Sequence, residues 1–444
     1  MSILRIELRR SAAAGAALLT LAVGVAALYL APGRWSDGWM SLALSTKEYM
    51  LLLWPLALAA GAWQGRREHR AKVGELFDTT PRSPARRMLP VLVAMGATLG
   101  LAYLLVVVAG AVRIASTAAY FPPDVVAIVL VGALSLVAAA WLGLGIGRLL
   151  PALVTAPALA VAGVLLVFFT AIMRPDWMSA TLSPAYGSNS FYPFQTIDSR
   201  VTGALAIWMG ALAVTGVLLL VTRSPRARVA AVLPVLLGFG AAAAIVPRDE
   251  AALIAPIDPV ARELVCTDDA PKVCVTRVNA NVLDTLTPLA REGLAVLAKL
   301  PDAPTQVHED ARLFFSSGFS TEAAPPDRDI VTIDVRIDDR GGLAHPAAVV
   351  PAIVFGLGAN TGTMVCPRNG PVERAAAYYL LDREPVSDVG VVPDMISEEP
   401  EFNAEAVTLW QGLRELPPAE ALSRVAAVRD AIVACRDSTG VLSR

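Results

Sequence analysis

Seven long apolar segments occupy the first 246 residues of this chain, and none of them carries an ionisable residue in its interior. About 18 uncharged apolar residues suffice to cross the hydrocarbon core of a bilayer as an α-helix. The sequence therefore predicts a polytopic α-helical membrane protein. The predicted spans are residues 12–30, 46–63, 91–112, 125–147, 152–173, 201–221 and 230–246.

Composition divides the chain into two parts. Hydrophobic residues make up 55% of the 444 residues and the mean hydropathy is +0.56, which is too apolar for a water-soluble protein of this size. Residues 1–246 carry 19 basic and 9 acidic side chains, whereas residues 247–444 carry 18 basic and 30 acidic ones. We predict a transmembrane domain over residues 1–246 and a separate domain over residues 247–444.

The basic residues also predict the orientation of the chain in the membrane. The N-terminus and alternate connections between spans hold fourteen Lys or Arg residues, and the remaining connections hold five. Because cytoplasmic loops are enriched in Lys and Arg, the N-terminus is predicted to be cytoplasmic. Seven spans then place residues 247–444 outside the cytoplasm, where disulfides persist. All four cysteines lie there: Cys266, Cys274, Cys366 and Cys435.

Two pairs of glycines lie four residues apart within predicted spans. Gly96 and Gly100 share one face of the third span, and Gly143 and Gly147 share one face of the fourth. Small residues at this spacing let two helix backbones approach closely in lipid. They equally fit the ordinary glycine content of membrane helices, so the sequence alone leaves both interpretations open.

Two absences narrow the function classes. Proton-coupled and ion-coupled transporters usually place ionisable side chains within the bilayer, and the predicted span interiors contain none. A nucleotide-binding P-loop needs a Gly-Lys pair, and this dipeptide does not occur in the chain. If ATP drives this protein, the ATPase is expected to be a separate polypeptide.

The loop after the second predicted span is the most polar stretch of the transmembrane domain. It runs from Gln64 to Arg87, and a short amphipathic helix over about Glu68 to Phe77 would present apolar side chains beside a rim of charges. The loop is either a docking surface for a partner or a plain determinant of membrane topology. The candidate docking residues are Arg66, Arg67, Glu68, Arg70, Val73, Glu75, Leu76, Phe77 and Arg82.

The order of residues in this loop resembles the segment between the second and third helices of type-2 ABC transporter permeases. A basic stretch at residues 66–70 leads to Glu75-Leu76, then to the turn Thr80-Pro81-Arg82-Ser83 and a second basic pair, Arg86-Arg87. The basic stretch Met1 to Arg10 is similar to the interfacial helix that precedes the first span in that family. The resemblance covers roughly residues 1–225.

The resemblance implies a six-helix exporter-type permease core in a bacterial plasma membrane. It also implies an ABC ATPase subunit docked on the loop, a second permease copy as a homodimer or related partner, and a transported substrate. The uncharged span interiors favour a lipophilic or amphipathic substrate. We expect no catalytic residue, cofactor or nucleic-acid partner. The seventh span and the large C-terminal domain depart from the family pattern, so a non-transporting membrane anchor with an external sensing or scaffolding domain is the alternative.

The C-terminal part reads as an extracytoplasmic α+β domain with most of its helices at the end. Strict alternation over Asp329 to Ile337 predicts a half-buried strand. Helical patterns cover Asn279 to Leu300, Pro371 to Leu381, Asn403 to Leu416 and Pro418 to Cys435. Among three possible disulfide connectivities, pairing Cys266 with Cys274 and Cys366 with Cys435 is preferred, because the first pair flanks a turn-like sequence.

Enzymatic motifs were considered for this domain. His308 and His345 do not form a zinc-binding pair one helical turn apart, and no Gly-x-Ser-x-Gly nucleophile motif occurs. The stretch His308-Glu309-Asp310 is expected to consist of solvated loop residues rather than metal ligands. A degenerate membrane-tethered hydrolase is therefore the weakest of the hypotheses.

Overall fold

A computed structural model describes residues 12–70, 84–187, 192–222, 224–249, 252–253, 256–312, 328–359, 369–386 and 399–443. The chain divides into two compact units. The helical unit comprises Met1–Ser116 and Phe121–Asp258, and the C-terminal unit comprises Thr117–Tyr120 and Pro259–Arg444. The boundary lies later than the expected residue 247. The reason is backbone pairing within the helical unit, where Thr196 donates to the Pro256 carbonyl at 2.9 Å and Asp258 donates to the Phe194 carbonyl at 3.0 Å.

Helices account for nearly all of the described regular structure in the helical unit. In the long helices apolar residues run around the whole circumference, so these helices lack the polar face of helices that lie at a water boundary. In chain order they are α1 Ala13–Leu30, α2 Trp39–Glu48, α3 Met50–Gly65, α4 Arg67–Arg70, α5 Pro84–Ile114, α6 Asp124–Leu149, α7 Thr155–Ala171, α8 Asp176–Leu182, α9 Ser199–Val221, α10 Pro225–Ala230 and α11 Leu233–Ile245.

Five stretches of helix are long and apolar enough to cross a membrane, which is compatible with a multi-pass membrane protein. They are Ala13–Leu30, Ala85–Ile114, Asp124–Leu149, Ser199–Val221 and Pro225–Ile245, and they match five of the seven predicted spans. The other two predicted spans are shorter helices, α3 and α7, of 16 and 17 residues. The second predicted span is shorter because the helix breaks at Tyr49, so its first residues belong to α2.

The core of the helical unit centres on α3 and α6, which pack against each other along most of their length. The largest fully buried side chains there include Trp54, Tyr103 and Leu99. In contrast, α7 and α11 expose many large apolar side chains, among them Leu165, Phe169 and Leu237. Exposed apolar surface on this scale indicates contact with lipid or with another apolar surface.

The C-terminal unit is built on a four-stranded mixed sheet in the order β1-β2-β3-β4. Strands β1 and β2 are antiparallel, whereas β2, β3 and β4 are mutually parallel. Helix α13 connects β2 to β3 and packs on the sheet. The described elements are α12 Pro259–Arg262, β1 Leu264–Cys266, β2 Lys272–Thr276, α13 Leu283–Leu297, β3 Gln306–Glu309, β4 Ile330–Ile333, α14 Pro346–Val354, α15 Gly370–Leu380, α16 Glu399–Glu415 and α17 Pro418–Val433.

The predicted elements of this unit agree with the structure except at their ends. Val331, Ile333 and Val335 are buried, as the alternation predicts, although strand β4 itself ends at Ile333. The segment expected to be one helix from Asn279 begins with a 3₁₀ helix, Arg277–Val282, before α13.

Candidate functional sites

Two helices of the helical unit meet backbone to backbone along a row of glycines. A Cβ atom at Gly143 or Gly147 of α6 would overlap the backbone of Leu58 or Ala62 in α3. Gly61 and Gly65 of α3 would in turn overlap the α6 backbone. We call Gly61, Gly65, Gly143 and Gly147 the glycine seam. Gly143 and Gly147 were singled out from the sequence; Gly61 and Gly65, at the same spacing, were missed.

The other predicted glycine pair lies against side chains rather than a backbone. A Cβ at Gly96 would stand 3.1 Å from Nε1 of Trp141, which donates a hydrogen bond to the Leu92 carbonyl at 3.0 Å. Gly96 thus leaves room for the Trp141 indole. At Gly100 the nearest atom is a Val137 methyl at 3.6 Å, an ordinary contact that an alanine could also make.

The seam ends at the first residues of the predicted docking loop. Arg66 is buried, with 7% of its surface exposed, and its Nη1 donates to the Ala152 carbonyl at 3.0 Å. The Arg66 and Arg70 guanidinium groups lie 4.8 and 5.2 Å from the Trp63 ring centroid, at cation–π distance. Arg66 therefore fixes the start of the loop to the α6–α7 turn.

The structure describes the two ends of that loop, residues 64–70 and 84–87. Arg67 and Arg70 lie in α4. The Glu68 side chain, Val73, Glu75, Leu76, Phe77 and Arg82 lie outside the described residues. For this reason the apolar part of the proposed docking surface stays a prediction from the sequence.

Lys47 is a buried cation that the sequence pattern did not single out. Its side chain lies in α2 with 3% of its surface exposed, and α2 packs against α5 and α6. The neighbouring Thr46 accepts a hydrogen bond from the Tyr103 hydroxyl at 3.3 Å. From the sequence, Lys47 counts among the five basic residues of the connections between spans. The structure buries it instead, because α2 begins well before the predicted span and carries this residue into the bundle.

In the C-terminal unit a polar cluster lies at the carboxyl ends of the three parallel strands, the edge at which α/β sheets commonly bind ligands. Thr276 ends β2, Glu309 ends β3 and Asp334 follows β4. Glu309 is 6% exposed, so the expectation that His308-Glu309-Asp310 are solvated loop residues is wrong for this carboxylate. Glu309 is the last residue of β3, and its side chain is buried within the domain.

Three donors hold the Glu309 carboxylate. The Thr276 backbone N–H donates at 2.6 Å, the Thr276 hydroxyl at 2.9 Å and the Asn279 amide nitrogen at 2.6 Å. Burial nevertheless raises the pKa of Glu309 to about 7, and the nearby charge of Asp334 acts in the same direction. The carboxyl group can therefore exchange a proton near neutral pH.

The rest of this cluster is paired internally. Asp310 accepts two side-chain hydrogen bonds from Arg312, and the His308 ring contacts Gln306 at 3.3 Å. Within the described ranges, no group of three or more His, Cys, Asp or Glu side chains could hold a metal ion. The arrangement offers a buried carboxyl group that can bind a proton.

One of the two expected disulfides of the C-terminal unit is present among the described residues. Cys266 and Cys274 form a disulfide between the facing residues of β1 and β2. Cys435 is also disulfide-bonded, and its expected partner, Cys366, lies outside the described residues. No protein-family model, curated protein or solved structure matches the chain with significant similarity.

Proposed function

We propose that this chain is the membrane permease subunit of an ATP-driven ABC transporter, and that it exports a lipophilic or amphipathic substrate. A separate ATPase subunit supplies ATP hydrolysis, because the chain lacks the Gly-Lys pair of a P-loop. A second permease copy completes the assembly. The five apolar helices and the permease-like order of residues in the loop support this proposal.

The glycine seam is the observation that carries the proposal. A permease driven by a separate ATPase must transmit a movement from its docking loop into the bundle. Two helices whose backbones touch move as one body, because close packing leaves no slack between them. The seam joins α3 to α6, and α3 leads directly into the loop. Arg66, bound to Ala152, ties the α6–α7 turn to the same body.

The membrane orientation in this proposal follows from the distribution of basic residues along the chain. The basic loop faces the cytoplasm, where the ATPase and its ATP are found, and the C-terminal unit faces the outside of the plasma membrane. In this arrangement Glu75, Leu76 and Phe77 form the apolar centre of the docking surface, and the basic residues around them form its rim.

Affinity purification from native membranes tests this proposal. The wild-type chain is expected to co-purify with an ATP-hydrolysing polypeptide, and a variant with Glu75, Leu76 and Phe77 all replaced by alanine is expected to lose it. The matched control replaces Arg226, Arg228 and Val229 by alanine. These three residues are exposed and lie in the short helix α10, in a connection that the charge distribution predicts on the same side of the membrane. Retention of the ATPase by the triple loop variant would overturn the docking assignment.

Absence of any ATP-hydrolysing partner from the wild-type preparation would favour the alternative, a membrane anchor with an external sensing domain. The buried Glu309 carboxyl group gives that alternative a specific basis, since a group with a pKa of about 7 responds to changes in external pH. The same purification therefore distinguishes the transporter subunit from the membrane anchor.

A further inference from the structure

Helices α6 and α9 run in the same direction and form a wedge-shaped cleft. Near their carboxyl ends they touch through Gly145 and Gly216, where an added Cβ on either would crowd the opposite backbone. Towards their amino ends one side of the contact is open and leaves a cavity of about 360 Å³ between the two helices. It is lined by Asp124, Ala127, Leu130, Ser199, Gly203 and Ala206, among others. We call this cavity the α6–α9 wedge.

The lining of the wedge is amphipathic along its length. Asp124 and Ser199 lie in the first turns of the two helices, so a carboxylate and a hydroxyl group flank the wide end. The deeper lining is apolar apart from Thr202. The narrow end is closed by a buried apolar cluster of Ala138, Leu205, Met209 and Ala213.

The surroundings of the wedge indicate what occupies it. Both helices are long and apolar enough to span a bilayer, and Val126, Leu130 and Ile207 beside the cavity are exposed. Beyond Asp124, Ser199 and Thr202 the walls of the cleft are apolar and offer no side-chain hydrogen bonds, so water is poorly held in that part. An empty cleft would forfeit dispersion contacts, so the flexible chain of a lipid fills it.

We propose that the α6–α9 wedge binds one acyl chain of a phospholipid whose headgroup carries a primary amine, with the ammonium group at the Asp124 carboxylate. The Asp124 side chain is exposed and has no hydrogen bond or ion pair to any residue that the structure describes. The primary ammonium of a zwitterionic headgroup complements this carboxylate and can donate hydrogen bonds to it, which the quaternary ammonium of phosphatidylcholine cannot. An anionic headgroup without a cation would be repelled. The binding site does not depend on the proposed function. That this lipid is also the exported substrate is a further step, and this step rests on the proposed function.

Two glycines on α9 provide a matched pair of variants. A Cβ at Gly203 would meet no heavy atom within 4 Å, although Gly203 lines the wedge. A leucine there starts from an open position and extends its side chain towards the cavity. Gly210, two turns further along the same helix, also has nothing within 4 Å of an added Cβ but does not line the wedge. Both replacements improve helix propensity, so neither is expected to disturb folding.

The experiment uses photoactivatable phosphatidylethanolamine, with a diazirine in one acyl chain, in phosphatidylcholine vesicles that contain the full-length protein. Cross-links are mapped by mass spectrometry. We expect labelling to concentrate on residues 124–131 and 199–206. Gly203→Leu is expected to reduce this labelling about tenfold, since it displaces about two methylene groups of the guest chain. Gly210→Leu is expected to leave it unchanged.

Headgroup selectivity is tested with Asp124→Asn. This change is expected to abolish the preference for phosphatidylethanolamine over a photoactivatable phosphatidylglycerol while labelling by the acyl chain persists. Labelling spread evenly over exposed apolar residues such as Val161 and Leu165, and unaffected by Gly203→Leu, would overturn the proposal. Cross-linking of this face to a second copy of the chain would also overturn it.

The lipid experiment needs neither ATP nor an ATPase. Specific labelling of the wedge in a protein that purifies without an ATPase would therefore keep the lipid site and reject the transport function. Conversely, a chain that purifies with its ATPase but shows no specific labelling would reject the lipid site alone.

Discussion

The guanidinium group of Arg66 donates a hydrogen bond to the backbone carbonyl of Ala152, with 3.0 Å between the two atoms. This bond joins the end of α3 to the turn between α6 and α7, so the start of the basic loop is fixed to the helical bundle. A side chain that looked like one of many basic loop residues thus faces inwards, and its charge-assisted hydrogen bond is stronger than an average neutral one.

Replacing Arg66 by methionine is expected to loosen this junction. Loss of a hydrogen bond to a charged group should lower the free energy of local opening at residues 150–155 by about 1.5 to 3 kcal/mol. Hydrogen exchange measured by mass spectrometry checks this value. Arg226→Met removes an exposed charge from helix α10 and should leave hydrogen exchange at residues 150–155 unchanged.

The glycine seam predicts that even a small side chain at position 143 lowers the stability of the protein. A methyl group there collides with the backbone carbonyl of Leu58, so Gly143→Ala must push the two helices apart. Overpacking of this kind costs about 1 to 3 kcal/mol. Thermal unfolding of the purified protein should register the loss.

Gly15→Ala is the control for Gly143→Ala, because a Cβ at Gly15 meets nothing within 4 Å. Equal stability of the two alanine variants would show that α3 and α6 do not pack through this glycine.

The raised pKa of the buried Glu309 carboxyl group predicts that the C-terminal unit loses stability as the pH rises. Burial raises its pKa from 4.5 to about 7, so the protonated form favours the folded state. The stabilisation is complete below pH 4.5 and is lost as the pH rises through about 7, by about 3 kcal/mol in total. In Glu309→Gln, the amide oxygen can still accept from Thr276, and the amide nitrogen would face the Asn279 Nδ2 donor. A turn of the Asn279 side-chain amide by 180° brings its Oδ1 atom, which has no hydrogen-bond partner in the structure, into position to accept from that nitrogen. This variant should show no such loss.

Hydrogen exchange of strands β2 and β3 in the full-length protein, compared between wild type and variant at each pH, measures this difference. Glu292→Gln removes an exposed carboxylate from α13 and serves as the control. Parallel pH profiles of wild type and Glu309→Gln would contradict the proposed titration.

The charge distribution predicts opposite sides for two introduced cysteines. Gly412→Cys in the exposed part of α16 should react with a membrane-impermeant maleimide in intact cells. Arg226→Cys should react only after the cells are opened. Labelling without reductant preserves the Cys266–Cys274 disulfide. Protection of position 412 in intact cells would contradict the predicted orientation.

Features with a strong periodic or compositional signal could be predicted from the sequence. The apolar helices are one example, and the alternation that buries Val331 and Ile333 is another, because local pattern determines which side of a strand can be buried. The Cys266–Cys274 pair followed from short spacing around a turn.

Burial of individual polar side chains could not be predicted in this way. Lys47 and Glu309 stand next to polar residues in the sequence, so a pattern-based interpretation places them in solvent. Their burial depends on how α2 packs on α5 and α6, and on the alignment of β2 with β3. Gly61 and Gly65 were missed for a related reason, since a glycine contact is recognised only when both facing helices are known.

The rate of ATP hydrolysis by the affinity-purified protein in lipid tests the central claim most directly. The account predicts that the wild-type preparation and the Arg226, Arg228 and Val229 alanine control hydrolyse ATP. It predicts that the Glu75, Leu76 and Phe77 alanine variant, purified in equal amount, does so only at background level. Equal rates in all three preparations, or no hydrolysis in the wild type, would contradict the assignment of this chain as an ATP-driven permease subunit.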